Sequence, residues 1–115
     1  MKKAYHLGKC SACQRILNEL DWKWETQEIR TEKITTAQLE QMAQLSGSYE
    51  SLFSRRSLKY KSMGLKDKLL TENDFKNFIL EEDTFLKRPV FIIDGQIFIG
   101  NSKKIVEEIK AVLHV

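Results

Sequence analysis

The chain has 115 residues, a formal net charge of +3, two cysteines and one proline. That length suits one domain of about 100 to 150 residues, and 42% hydrophobic with 30% charged residues is the balance of a globular chain, not of a disordered or fibrous one. Nineteen Lys and Arg against 16 Asp and Glu are too slight an excess to argue for direct nucleic-acid binding, two cysteines cannot staple a disulfide scaffold, and no apolar run is long enough to span a membrane.

Met1 to His6 carries charge but no apolar stretch of signal-peptide length, so the expected location is the cytoplasm. No linker, repeat or low-complexity tract interrupts the chain, and residues 1–115 read as a single domain. Ala4 to Leu7, ending at Gly8, suits a buried strand. From Cys10 the spacing changes: Cys10, Cys13, Ile16, Leu17 and Leu20 recur at threes and fours, the signature of one helix face. Imperfect alternation predicts a strand around Trp24–Ile29. Thr35 with Gln38 fits a capping box, and Leu39, Met42 and Ala43 follow at helical spacing up to a break at Ser46-Gly47-Ser48. A second helix is predicted over Tyr49 to Met63, closed by Gly64. Thr71 with Asp74 caps a third, whose stripe is Phe75, Phe78 and Ile79. Val90 to Ile93 and Gln96 to Ile99 are strands joined at Asp94-Gly95, a strong hairpin signal. Asn101 or Ser102 caps a last helix with Ile105, Ile109, Val112 and Leu113 on its apolar side. The order predicts an α/β fold, a βαβ half and a ββα half forming a mixed four-stranded sheet with helices on it.

Cys10-Ser11-Ala12-Cys13 stands at a predicted strand-to-helix junction. A helix N-terminus carries partial positive charge and unpaired N–H groups that stabilise a thiolate, the reactive form of cysteine. A second thiol three residues on lies one turn away, within reach of a mixed disulfide on the first. Cys10 is therefore the expected nucleophile and Cys13 the more buried resolving thiol, with Lys9 lowering the Cys10 pKa further. Two other uses of the pair are open. A zinc site would have to add His6 and His114 to reach about four ligands, and the two thiols could simply be packed in the core. Motif and context favour redox chemistry.

Tyr5-His6-Leu7-Gly8-Lys9-Cys10-Ser11, Ser54 to Tyr60 with Met63-Gly64-Leu65, and Leu86-Lys87-Arg88-Pro89-Val90 with Ile99-Gly100 together resemble the ArsC/Spx family. That family contains glutaredoxin-coupled arsenate reductases and Spx-type transcriptional regulators. The resemblance covers nearly the whole chain. It implies a thioredoxin-like fold with a helical insertion between the second and third strands, and a cis bond at Arg88-Pro89 that sets Pro89 against the cysteines. Arsenate reductases of the family bind the oxyanion with the cysteine and three arginines. Cys10 and Arg88 match, but the second arginine falls on Ser54, with Arg56 two residues later, and the third on Asn101. Losing two bidentate guanidinium forks weakens such a site. The C-x-x-C pair and Arg56-Ser57-Leu58-Lys59-Tyr60 are similar to the Spx-like branch, although the glycine tied there to polymerase contact has only an out-of-register counterpart in Gly47.

No metal, nucleotide or flavin site is visible in the sequence, and no bound cofactor is expected. The resemblance implies a thiol donor such as glutathione, glutaredoxin or thioredoxin, and on the Spx side the C-terminal domain of the RNA polymerase α subunit. The expected function is a thiol-dependent reductase, with a redox-switched regulator and an arsenate reductase as alternatives. Cys10 and Cys13 are the catalytic candidates. Arg88, Arg56, Lys9 and His6 are candidates for thiolate or anion binding. For Arg88 a strand-entry salt bridge is the competing role, for Arg56 a solvated helix face, and for His6 a structural hydrogen bond. Trp22, Trp24, Phe75 and Phe78 read as packing residues, and Lys59, Lys61, Lys66 and Lys68 as a solvated basic run.

Overall fold

A computed structural model describes residues 1–115. In chain order the elements are β1 (Lys2–His6), α1 (Ser11–Glu19), β2 (Glu25–Glu28), α2 (Thr36–Ser46), α3 (Leu58–Ser62), α4 (Glu72–Glu81), β3 (Val90–Ile93), β4 (Gln96–Ile99) and α5 (Lys103–Leu113), with short 3-10 turns at Glu50–Leu52, Leu65–Asp67 and Asp83–Phe85. They form two compact units: residues 1–33 with 88–115, and the intervening residues 34–87. No helix is long and apolar enough to cross a membrane.

The first unit carries the sheet, in the order β2-β1-β3-β4. β1 runs parallel to β2 and antiparallel to β3, and β3 is antiparallel to β4. This is the mixed four-stranded sheet of a thioredoxin-like fold. The β-branched and aromatic run of β3 is buried at all four positions, as expected for an inner strand. Ala4, Phe91, Ile93 and Phe98 from the sheet meet Ile16 of α1, Leu20 at its C-cap, and Val106 and Ile109 of α5 in one core cluster. The hairpin turns where Asp94 and Gly95 both take positive φ, 49° and 85°, the conformation that makes Asp-Gly a turn signal. Ser102 caps α5 by accepting from the Ile105 N–H. Helix α1 ends without a glycine. Asp21 takes the left-handed conformation at φ 49°, and the Trp22 and Asp21 N–H groups donate to the Leu17 and Asn18 carbonyls, a Schellman closure. Trp22 then packs edge-on to Phe91 at 5.0 Å between centroids. Trp24 is 40% exposed and rests against Trp22, so it is surface and not core.

The second unit is the helical insertion. Both predicted capping boxes form, at Thr35/Gln38 and Thr71/Asp74, and Gly47 closes α2 at φ 104°. The continuous helix predicted over 49–63 does not form. A 3-10 turn is followed at Phe53 by extended backbone, φ −83° and ψ 126°, and Phe53 bridges Leu86. Ser54 N–H donates to the Phe85 carbonyl at 2.7 Å, and Lys87 N–H to the Leu52 carbonyl at 2.8 Å. Phe53 is fully buried, stacked on Phe85 at 5.0 Å and tilted on Phe75 at 4.9 Å. Tertiary pairing thus overrides the local helical spacing. Helix α3 restarts at Ser57, whose hydroxyl accepts from the Lys59 N–H and bonds Thr84. Leu58 and Met63, within the span of the predicted helix, are exposed.

Candidate active site

The site is built where β1 hands over to α1. Cys10 N–H donates to the Leu7 carbonyl at 2.9 Å, closing the turn Leu7–Cys10, and the Cys10 carbonyl accepts the first helical bond, from Gln14 N–H at 3.2 Å. Cys10 is thereby the N-cap of α1, in extended conformation at φ −85° and ψ 105°. It is partly exposed, whereas Cys13, one turn into the helix on the core side, is fully buried. Both thiols are free.

The two sulfurs are electrostatically unequal. Partial burial alone would raise the Cys10 pKa. The Cys13 thiol and backbone N–H donate to its sulfur, and the Arg88 guanidinium adds a hydrogen bond and a positive charge; together these leave Cys10 below the ordinary thiol value. Burial pushes Cys13 up to about 12, against a lowering contribution from the Leu7 N–H, and the neighbouring Cys10 sulfur pushes in the same direction as burial. Of the two, Cys10 is the more readily ionised, and the Cys13 thiol donates to its sulfur.

Arg88 enters the site because it stands two residues before β3, and its bond to buried Pro89 is cis. The Pro89 carbonyl accepts from Gly100 N–H at 2.9 Å, which ties the entry of β3 to the exit of β4. His6 is placed by Gln14. The Gln14 Nε2 donates to the Leu7 carbonyl at 3.3 Å and lies 3.1 Å from His6 Nδ1. An amide nitrogen that donates at both requires Nδ1 to accept. His6 therefore has the structural hydrogen bond foreseen as the alternative to thiolate tuning. Lys9 is exposed in the turn, and the groups that lower Cys10 are Cys13 and Arg88. Arg56 belongs to the helical unit, exposed just before α3, with its N–H directed to the Ser54 hydroxyl at 3.4 Å. His114 ends α5 in an exposed left-handed conformation.

Two residues that shape the site carry no sequence signal of their own. Gln14 reads as a polar position beside the stripe. Glu28 reads as the end of an edge strand, yet its carboxylate accepts from the Gly8 N–H at 2.7 Å. Only the parallel pairing that sets His6 opposite Glu28 brings that side chain to the cysteine turn.

A partly exposed cysteine at a helix N-terminus, on a thioredoxin-like sheet, is the arrangement of a thiol redox protein in general. The chain belongs to the ArsC family, whose model matches residues 5–109. Among solved structures it is similar to an arsenate reductase from Vibrio cholerae, with 21% identity and a TM-score of 0.79 over 94% of this chain and 96% of that one. It is also similar to a possible arsenate reductase from Streptococcus mutans, with 25% identity and a TM-score of 0.74 over 96% and 98%. A third is an arsenate reductase related protein from Brucella melitensis, with 14% identity and a TM-score of 0.71 over 99% and 95%. No curated protein matches the sequence.

Proposed function

We propose that the protein is a thiol-dependent reductase of disulfide substrates, with Cys10 as nucleophile and Cys13 as resolving thiol. The observation that carries this is the inequality of the two sulfurs, Cys10 lowered by Cys13 and Arg88 while Cys13 is pushed up to about 12. The Cys10 thiolate attacks one sulfur of the substrate; a Cys10–substrate S–S bond forms, the substrate S–S bond breaks, and the leaving thiolate takes a proton from solvent. In that mixed disulfide Cys10 carries no charge. Its contribution to raising Cys13 is lost, while the Leu7 N–H and Arg88 still favour a Cys13 thiolate. Burial, the largest cause of the raised Cys13 value, remains, but the opposition of a charged neighbour is gone, so Cys13 ionises more easily in the mixed disulfide than in the free dithiol. It attacks the Cys10 sulfur, releases the second substrate thiol and leaves an intramolecular disulfide, so that two electrons and two protons pass to the substrate. A thiol donor in a reducing compartment such as the cytoplasm, whether glutathione, glutaredoxin or thioredoxin, returns the pair to dithiol.

Arsenate reduction is the second reading, supported by the names of the structural relatives. Against it stand Ser54 and Asn101 where the resemblance expects arginines. The regulator reading shares the cysteine chemistry and differs in its partner. Turnover assays separate the three. The protein is expected to reduce a glutathione mixed disulfide or a small dithiol substrate, and Cys13→Ser is expected to accumulate the Cys10–substrate adduct, seen by mass. Arsenate consumption with glutathione and glutaredoxin, or a stable complex with the polymerase α C-terminal domain without disulfide turnover, would replace the reading.

A further inference from the structure

We propose that Glu28 is a positioning residue for Cys10, its carboxylate fixing the one peptide on which the nucleophile's turn closes. The proposal rests on Cys10 being the reactive thiol. Glu28 ends β2, and the parallel register sets it opposite His6 at the end of β1, so the loops after the two strands leave the sheet side by side. Its two oxygens serve both loops. Oε2 accepts from the Gly8 N–H at 2.7 Å, while Oε1 accepts from the Thr31 and Arg30 N–H groups at 2.9 and 3.2 Å. The Gly8 contact lies at the short end for a nitrogen donor, as charge-assisted bonds do.

The Gly8 N–H and the Leu7 carbonyl belong to a single planar peptide. That carbonyl accepts from the Cys10 N–H at 2.9 Å and from Gln14 Nε2 at 3.3 Å. The peptide is thus held from both sides, by Glu28 on its nitrogen and by α1 on its oxygen. A rotation of this unit breaks all three bonds at once and moves Cys10 relative to the Cys13 and Arg88 donors that stabilise its thiolate. A Cβ at position 8 would meet Glu28 Cγ at 3.5 Å, which is ordinary contact, so the approach of the carboxylate does not depend on glycine there.

Charge and positioning act in opposite directions, and this makes the role measurable. A carboxylate near a thiol disfavours the thiolate, so removing the charge alone would ease Cys10 ionisation. Loss of positioning hinders it. The test measures iodoacetamide alkylation of Cys10 as a function of pH, mapped by mass, in the wild type, Glu28→Gln and Gln14→Ala, with folding followed by circular dichroism. Glutamine has the shape of Glu28 but one acceptor oxygen, so it cannot serve both loops. Gln14→Ala frees the opposite end of the same peptide and keeps a good helix former in α1.

The expected result is an upward move of the pH midpoint in both variants, with alkylation at pH 7 slower by about threefold or more, the loss of roughly one hydrogen bond's worth of preference. A midpoint that is unchanged or moves down in the folded variants overturns the proposal. The wild type supplies a second reading if a variant does not fold: the Gly8 amide proton is expected to be protected from exchange, and exchange at the rate of an open loop overturns the proposal. Failure of the underlying reading looks different, because Cys10 of the native wild type would then be alkylated only as an ordinary thiol, with its midpoint at or above the usual cysteine range.

Discussion

At the scale of single residues, burial apart, Cys10 is governed first by the Cys13 donors and then by Arg88. Thiolate formation at Cys10 is opposed by partial burial and favoured by the Cys13 donors and the Arg88 guanidinium. A hydrogen bond to a charged group contributes about 1.5 to 3 kcal/mol. Arg88→Ala is therefore expected to slow alkylation of Cys10 at pH 7 by about tenfold or more and to move its pH midpoint upward. Stopped-flow alkylation across pH 5 to 10 checks this, and an unchanged profile would assign Arg88 a purely structural role. The pair Cys10 and Cys13 is legible in the sequence because both spacing and junction point to it. The weight of Arg88 over Lys9 is not, since sequence adjacency places Lys9 beside the cysteine while only the sheet brings Arg88 to the sulfur. Gln14 and Glu28 are hidden for the same reason: their contacts span 7 and 20 residues of chain.

Among the elements, local rules succeed where a segment's structure is decided within a few residues. The capping boxes at Thr35 and Thr71, the Asp94-Gly95 hairpin and the Ser102 cap are all of this kind. They fail at Phe53, where helical spacing is overruled by a bridge to Leu86, 33 positions on in the chain, and at Asp21, which closes α1 in a conformation usually left to glycine. The hairpin carries its own pH dependence. The N-terminal ammonium, first, and then Lys2 donate to Asp94, and they hold its carboxyl below the usual aspartate range. Its folded pKa is depressed, so its contribution is present above the unfolded value of 3.8 and is lost as pH falls through the lower folded value. Asn tolerates the same positive φ, so Asp94→Asn isolates the charge. Wild type is expected to melt higher than this variant at pH 6, with the gap closing in acid. A gap independent of pH would contradict the assignment.

Over the whole molecule, the chain divides into a sheet unit that carries the cysteines and a helical unit with its own aromatic core of Phe53, Phe75, Phe78 and Phe85. Every group that shifts Cys10 belongs to the sheet unit. Phe53→Ala, at a fully buried position, is expected to lower stability by about 3 to 5 kcal/mol. Below its melting temperature it should leave the pH midpoint of Cys10 alkylation in place. Denaturant titration and the alkylation profile together check both halves. The mixed four-stranded sheet is legible from element order, while its thioredoxin-like character and the helical insertion come from the family resemblance, because no change in composition marks residues 34 and 87.

The central claim is that Cys10 and Cys13 work as one redox pair, and it is tested most directly by equilibrating the protein against glutathione redox buffers, quenching with an alkylating agent and reading masses. The account predicts an intramolecular Cys10–Cys13 disulfide as the dominant oxidised species, with a glutathione adduct on Cys10 in the Cys13→Ser variant. If the wild-type protein stops at a Cys10–glutathione adduct, or if neither thiol oxidises, the paired mechanism is contradicted and Cys13 is a packed core thiol.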